Sequence, residues 1–290
     1  MDNLFSEKFK SYNPQNKDQY VNALREIAQE IALYSFSKTD FFNNIAFCGG
    51  TALRIFYSLD RASEDLDFSL VVPNDNFDMM KYIESLKTDF TNFGFSFDVK
   101  QGNINSNIKS AFLKGNTSIN LISIGVPEEL INSVRNGELL KIKIEVDTNP
   151  PSNVKCEYKY GLFPFPYRIT IFTGETMFAG KIHAILCREW DDYVKGRDFY
   201  DYIFYIRNNT KINLSYLESA LKQVSFLKEN ENLTIHKIKE FLIKKIEKVD
   251  MDMAKKDVIR FIKNPESIKA WNIDFFKSIT LDYFKRNYNI

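Results

Sequence analysis

Apolar residues recur at helical spacing over residues 18–36, where Val21, Leu24, Ile27, Ile31 and Leu33 fall on one broad face. A short apolar run over residues 45–48 then meets Gly49-Gly50, and a second helical stretch follows over residues 51–58. The period next changes to two: Leu66, Phe68 and Leu70 alternate with Asp65, Asp67 and Ser69, so this strand carries its acids on one face. Residues 75–93 predict a helix, and strand-like segments follow near 95–100, 108–113, 118–124 and 139–146. In the last of these Ile142, Ile144 and Val146 share one face, Lys143, Glu145 and Asp147 share the other, and Pro150-Pro151 ends the run. One more strand is expected over residues 167–172. After Gly174 the pattern is helical, in segments beginning near Glu175, Asp198, Leu214, Thr234, Met251 and Asp274. The expected chain is therefore α/β (α+β), with strands and helices in residues 1–173 and a helical C-terminal domain in residues 174–290.

Composition narrows the class. With 44% hydrophobic and 15% aromatic residues the chain can fill a core, and 27% charged residues keep its surface wet, which excludes disordered, collagen-like and mucin-like proteins. The net charge of +1 conceals an asymmetry: residues 211–290 carry 16 Lys and Arg against 11 Asp and Glu, and the remainder is acidic. A basic tail beside an acidic first part fits a carboxylate metal site next to a polyanion-binding surface, and fits equally a set of solvated Lys-rich helices. Lys244, Lys245, Lys255 and Lys256 are the candidates for that surface. Cys48, Cys156 and Cys187 are odd in number and form no C-x-x-C pair, so neither a disulfide framework nor a zinc cluster is expected. With only His183 and His236 available, chemistry falls to carboxylates and lysines. No secretory signal and no membrane-length apolar run is present, and a cytoplasmic location away from membranes is expected.

The most informative stretch runs from Cys48-Gly49-Gly50-Thr51 to Asp65-Leu66-Asp67-Phe68. Two glycines after a strand permit unusual backbone angles and leave amide N–H groups uncovered, and the following helix, with Thr51 as candidate N-cap, aims its positive end at the same place. Phosphate could settle there. Asp65 and Asp67, two apart on a strand, project from one face, where a cation relieves their repulsion. Mg²⁺ is the natural choice, being a hard ion held by one or two carboxylates plus substrate phosphates. Glu145 or Asp147 on the second acidic strand would supply a third carboxylate, and spacing does not choose between them.

Further along, Lys181 and Arg188 flank the stripe made by Phe178, Ile182, Ile185 and Leu186, so Lys181 either meets a phosphate or snorkels to solvent. His183 lies on another face and is expected to be structural. Asp198 and Asp201, three apart at a helix start, either form a polar wall with Arg197 or, for Asp198, cap the helix. Arg54 and Arg61 either reach phosphate or pair with Glu64 or another acid.

Gly49-Gly50-Thr51-Ala52-Leu53-Arg54, followed by Arg61-Ala62-Ser63-Glu64-Asp65-Leu66-Asp67-Phe68, resembles the opening motifs of the AbiEii/AbiGii toxin family of nucleotidyltransferases in the DNA polymerase β-like superfamily. The stretch from Lys141 to Pro151 is similar to that family's third acidic strand. Lys181 to Arg188, with Lys195-Gly196-Arg197-Asp198-Phe199-Tyr200-Asp201, resembles its helical Lys and Arg-Asp-x-x-Asp motifs. One departure is Thr51 after the double glycine, where the superfamily often has Gly-Ser.

The resemblance implies a nucleotidyltransferase fold with a mixed β-sheet flanked by helices and a helical C-terminal domain that completes the active-site cleft. It also implies a toxin of a type IV toxin–antitoxin or abortive-infection system, with an antitoxin encoded nearby. The expected reaction moves an NMP from an NTP to a tRNA 3′ end with two Mg²⁺ ions and release of pyrophosphate. Nucleotidylation of a protein, or a GTP-binding module with little turnover, is the alternative. The residues placed in the site are Asp65, Asp67, Lys181 and Asp198 for catalysis, and Gly49, Gly50, Thr51, Arg54, Lys181, Arg197 and Asp201 for the nucleotide. Asp65, Asp67, Glu145 and Asp147 are the metal candidates.

Overall fold

Strand alternation in the first half of the chain resolves into one seven-stranded sheet. In the computed structural model, which describes residues 2–104, 106–132, 134–135 and 137–290, the strands are β1 (Ile45–Cys48), β2 (Leu66–Leu70), β3 (Asp98–Gln101), β4 (Ile108–Asn116), β5 (Leu139–Asp147), β6 (Cys156–Gly161) and β7 (Tyr167–Phe172). They lie in the order β3-β4-β5-β2-β1-β7-β6. β2 runs antiparallel to β1 and parallel to β5, which makes the sheet mixed. Leu66, Phe68, Ile142, Ile144 and Val146 are all buried, as their alternation requires. Phe68 meets Phe41 and Phe47 at ring-centroid distances of 5.0 and 5.1 Å. Burying each such ring contributes about 1.5–3 kcal/mol, so the acidic strand is anchored through its apolar face.

The chain divides into two compact units. One comprises Met1–Ser58, Ala62–Pro150 and Glu157–Ile171, and the other Leu59–Arg61, Pro151–Cys156 and Phe172–Ile290. The main break lies between Ile171 and Phe172, and two short segments from earlier in the chain belong to the second unit.

Sequence and structure part at several elements of the first unit. Residues 118–123 are helical, not extended, and Ile124 follows in a turn: Asn116 accepts the Ile119 N–H and starts the helix Thr117–Ser123, and Thr117, Asn120 and Leu121 form its buried face at helical spacing. The helix expected from residue 75 begins only at Ile83, after a 3₁₀ turn over Met79–Tyr82 that Asp78 caps. β6 was not anticipated, because Glu157, Tyr158, Lys159 and Tyr160 give no apolar alternation on a strand at the sheet's edge. The helix after the double glycine is Gly49–Tyr57 with Cys48 at its N-cap position, so Thr51 sits inside the helix and does not cap it.

The second unit is built on the helices Gly174–Cys187, Gly196–Arg207, Leu214–Gln223, Ile235–Ile246, Met251–Val258 and Ile273–Tyr288. Thr173, Asn213, Thr234, Asp250 and Asn272 each accept a first-turn N–H, so five of these helices begin at a side-chain cap. Such caps are worth about 1 kcal/mol each, and they fix the helix starts near where periodicity places them. Gly196 lets two helices touch. A Cβ there would lie 1.8 Å from the Ala254 carbonyl oxygen.

Candidate active site

In the first unit the acids are positioned by sheet register. Asp67 on β2 lies opposite Glu145 on β5, and Ser69 opposite Asp147, with neighbouring parallel strands about 4.8 Å apart. The question spacing left open is thereby narrowed: Glu145, not Asp147, is the direct neighbour of Asp67. Glu145 Oε1 is held by Lys143 Nζ at 2.6 Å on the same strand face. Asp147 occupies itself at the strand's end, where its Oδ1 accepts the Asn149 N–H at 3.0 Å. Burial pushes the Asp147 carboxyl above its ordinary range, and the Asn149 N–H only partly counters this.

The double glycine makes room for an acid. Gly49 has φ +77°, in the left-handed region that favours glycine. A Cβ at this position would lie 2.3 Å from Asp67 Oδ2 and 2.9 Å from Asp67 Cβ. Gly49 therefore serves the placement of the Asp67 carboxylate as well as the turn. Thr51 is fully buried and its hydroxyl donates to the Asp65 carbonyl, so it ties the helix to the residue before β2 and is not presented to a ligand. Arg54 Nε donates to Glu26 Oε2 at 2.8 Å, an ion pair between partly buried side chains.

Among the described residues, no three of His, Cys, Asp and Glu are gathered closely enough to hold a metal ion. What β2 and β5 bring together is a carboxylate pair in register. That donor set fits Mg²⁺ in its usual mode of one or two carboxylates completed by substrate phosphate and water.

In the second unit, Lys181 projects from the helix Gly174–Cys187 and donates to Asp198 Oδ1 at 2.6 Å, with Asp201 Oδ2 at 2.9 Å. Arg61 forks onto Asp201, its Nε and Nη2 each donating at 2.7 Å to a different carboxylate oxygen. Arg188 donates to the other oxygen of Asp198. Burial alone would raise both acids, but Lys181 and Arg188 hold Asp198, and Arg61 and Lys181 hold Asp201, below the ordinary carboxylate range. Burial alone would likewise lower Lys181, yet Asp198 and Asp201 outweigh it and raise the ammonium. The outer end of the cluster is the cation Arg188, 40% exposed against 1% for Asp198.

Asp198 lies in the first turn but does not cap its helix, since its carboxylate is taken by Lys181 and Arg188. Arg197 has its guanidinium 4.2 Å over the Phe261 ring and its Nε 3.5 Å from Asp257. His183 is half-buried, and burial, then Arg188, lowers its pKa, in keeping with a structural role. The Arg61–Asp201 pair spans 140 positions, and its only trace in the sequence was the choice left open for Arg61. Of the four tail lysines, Lys244 and Lys256 are exposed. Lys245 donates to the Arg188 carbonyl and covers the Trp190 ring at 4.8 Å, and Lys255 lies 3.3 Å from Asp252.

A mixed sheet with carboxylates facing each other on adjacent strands, entered through a glycine corner and followed by a helical unit, defines an α/β nucleotidyltransferase. Residues 31–276 match the family described as nucleotidyl transferase AbiEii toxin, type IV TA system, and the chain belongs to that family. It is an NTP-dependent nucleotidyltransferase of the toxin type. No curated protein matches the sequence closely enough to count as a relative. The fold is similar to that of MenT4, a nucleotidyltransferase toxin from Mycobacterium tuberculosis H37Rv, with 15% identity over 99% of this chain and 89% of that one and a TM-score of 0.55. It is also similar to JHP933 from Helicobacter pylori, with 16% identity over 95% and 96% of the two chains and a TM-score of 0.52. Among the described residues no helix is long and apolar enough to cross a membrane.

Proposed function

We propose that this toxin transfers an NMP unit from an NTP to the 3′ end of a tRNA, with Mg²⁺ and release of pyrophosphate. The observation that carries this is the register of Asp67 against Glu145 beside a glycine whose missing Cβ leaves space for the carboxylate. In the reaction the acceptor hydroxyl oxygen bonds to the α-phosphorus, the bond from the α-phosphorus to the α–β bridging oxygen breaks so that pyrophosphate leaves with that oxygen, and the hydroxyl proton passes to solvent water. Mg²⁺ held by Asp67 and Glu145 with the donor phosphates would supply charge stabilisation for the α-phosphoryl group and the leaving pyrophosphate. Asp65 stands just before β2 with its backbone fixed by Thr51, which supports a role as a further oxygen donor. Lys143 pairs with Glu145, and a bound cation would compete with it for that carboxylate.

The cluster of the second unit supports phosphate binding through its exposed outer cation. Arg188 is its available end, while Lys181 is kept charged and oriented by Asp198 and Asp201. The exposed Lys244 and Lys256 support a polyanionic acceptor.

Incubating the purified protein with labelled NTPs, total RNA and Mg²⁺ tests the proposal. Label should enter tRNA and be removed by trimming the 3′ terminus. Label in protein, or none in any macromolecule, overturns the tRNA acceptor.

A further inference from the structure

The second unit holds a cavity of about 290 Å³ whose lining includes Asp60, Tyr200, Phe204, Arg207, Asn264 and Trp271. Every lining residue belongs to the second unit. None is among the acidic-strand or Lys181-cluster residues assigned above. This volume is at the lower end for ligand pockets, suited to one heterocycle.

Its walls and its polar groups have different jobs. Trp271 is 2% exposed and lies 6.3 Å from the Tyr200 ring, centroid to centroid. The Tyr200 hydroxyl donates to the Asp60 carbonyl at 3.3 Å, which ties the aromatic wall to the segment that carries Asp60. Trp271 backs this wall, and Tyr200, half-buried, is the ring of the pair that keeps an accessible surface on which a base can stack. The polar groups are a carboxylate, a guanidinium and an amide. Asp60 and Arg207 line the same cavity, and among the described residues neither side chain makes an ion pair or a hydrogen bond. The Asn264 Oδ1 accepts the Glu266 N–H at 3.0 Å, which leaves its NH₂ as a donor.

An acceptor and a donor that line one small cavity, each without a protein partner among the described residues, suit a ligand edge carrying the complementary groups. We propose that this cavity binds a guanine base. Guanine offers N1–H and N2–H₂ to the Asp60 carboxylate, and O6 and N7 to Arg207, the commonest specific pairing for that base. Adenine lacks the N1–H and N2–H₂ donors and puts an amino group in place of O6. The cavity supplies one cation, engaged with the base edge, and no second for a triphosphate. This favours an unpaired guanine in an RNA strand whose backbone stays in solvent, with a free guanine nucleotide as the other source of the same chemistry.

The test is direct binding by the full chain in an Asp67→Asn background, so that nucleotidyl transfer plays no part in the readout. Two short single-stranded RNAs differing by one guanine-to-adenine exchange, and separately GMP and AMP, are titrated by calorimetry. The guanine RNA should bind about tenfold more tightly than its adenine counterpart, in line with one bidentate base contact. Asp60→Asn and Arg207→Ala should each bring that ratio close to one. Because Asp60 and Arg207 are exposed, the melting temperature should hold. A guanine preference seen for the mononucleotides alone, and lost in both variants, assigns the pocket to free nucleotide. Equal binding of guanine and adenine in both pairs, or a preference that survives both substitutions, overturns the proposal.

Discussion

In the first unit, Asp67 and Glu145 face each other across adjacent strands at half-buried positions. In the second, Asp198 and Asp201 are almost fully buried and each sits between two cations. Both arrangements concentrate charge, but they settle it differently. The buried cluster balances its acids within the protein, where removal of one partner leaves an uncompensated charge. The strand pair keeps its acids at half-buried positions, where the desolvation cost is smaller. Depth thus separates acids that are neutralised by buried cations from acids that stay partly exposed, even where the residue types are the same.

The largest expected effect breaks the open site alone. Asp67→Asn should lower single-turnover transfer about a thousandfold, the rate equivalent of several kcal/mol of lost charge stabilisation, with the melting temperature nearly unchanged. Transfer within tenfold of wild type would remove Asp67 from the chemistry. The mirror experiment is Asp201→Asn, which leaves Arg61 and Lys181 short of a buried acid. It should cost about 3 kcal/mol in urea unfolding at pH 7.

The pH dependence of that cost distinguishes the two regions further. Asp198 and Asp201 titrate below their ordinary range in the folded protein, so the stability they contribute is complete above the unfolded value of about 3.9. It is lost as pH falls through the depressed folded values. Lys181 is raised, so its contribution is complete below its unfolded value of about 10.4 and fades only as pH rises through the folded one. From this cluster, stability should stay level between about pH 5 and pH 10 and fall on acidification below about pH 4. Asp201→Asn should flatten that acid limb when urea midpoints are compared at pH 3 and pH 7, and an unaltered limb would place the acid sensitivity elsewhere.

Gly49→Ala tests how tightly the open site is built. The new Cβ must displace the Asp67 carboxylate in a backbone conformation that alanine adopts with strain, and a misplacement of about 1 Å at a reacting centre can cost a hundredfold in rate. Transfer should fall by about that factor while Mg²⁺ dependence shifts to higher concentration. The smallest effect belongs to the tail. Lys244→Ala with Lys256→Ala should reduce the log–log salt slope of tRNA binding by about 0.7–0.9 per lost phosphate contact, with stability moving by no more than about 0.5 kcal/mol. A slope identical to wild type would make these lysines solubilising only.

Much of the first unit's strand pattern could be read from period-two alternation, because Leu66, Phe68, Ile142, Ile144 and Val146 bury one face of β2 and β5 and leave the acids on the other. What alternation cannot supply is which strands are neighbours. The choice between Glu145 and Asp147 depends on register across a parallel pair, which no local spacing encodes. Residues 118–124 look extended in sequence because a short apolar run has no decisive period, and the capping Asn116 decides for a helix. Lys181, Asp198 and Asp201 were visible as motifs. Their mutual ion pairing was not, since it joins a helix flank to the first turns of the next helix and recruits Arg61 from far upstream. The direction taken by Arg197 was set by Phe261 and Asp257, long after it in sequence.

The placement of Arg61 has a consequence for how the chain can be cut. The three-residue segment Leu59–Arg61 belongs to the second unit, while the chain on both sides of it belongs to the first, and Arg61 also makes a bridge with Ile262. A fragment beginning at Phe172 would contain all six major helices of the second unit and still lack the guanidinium that meets Asp201. Its buried acid would be left to share Lys181 with Asp198, so the fragment should fold poorly despite its intact apolar core. The two units are thus interleaved in the polypeptide, and recombination at the visible break would separate neither of them cleanly.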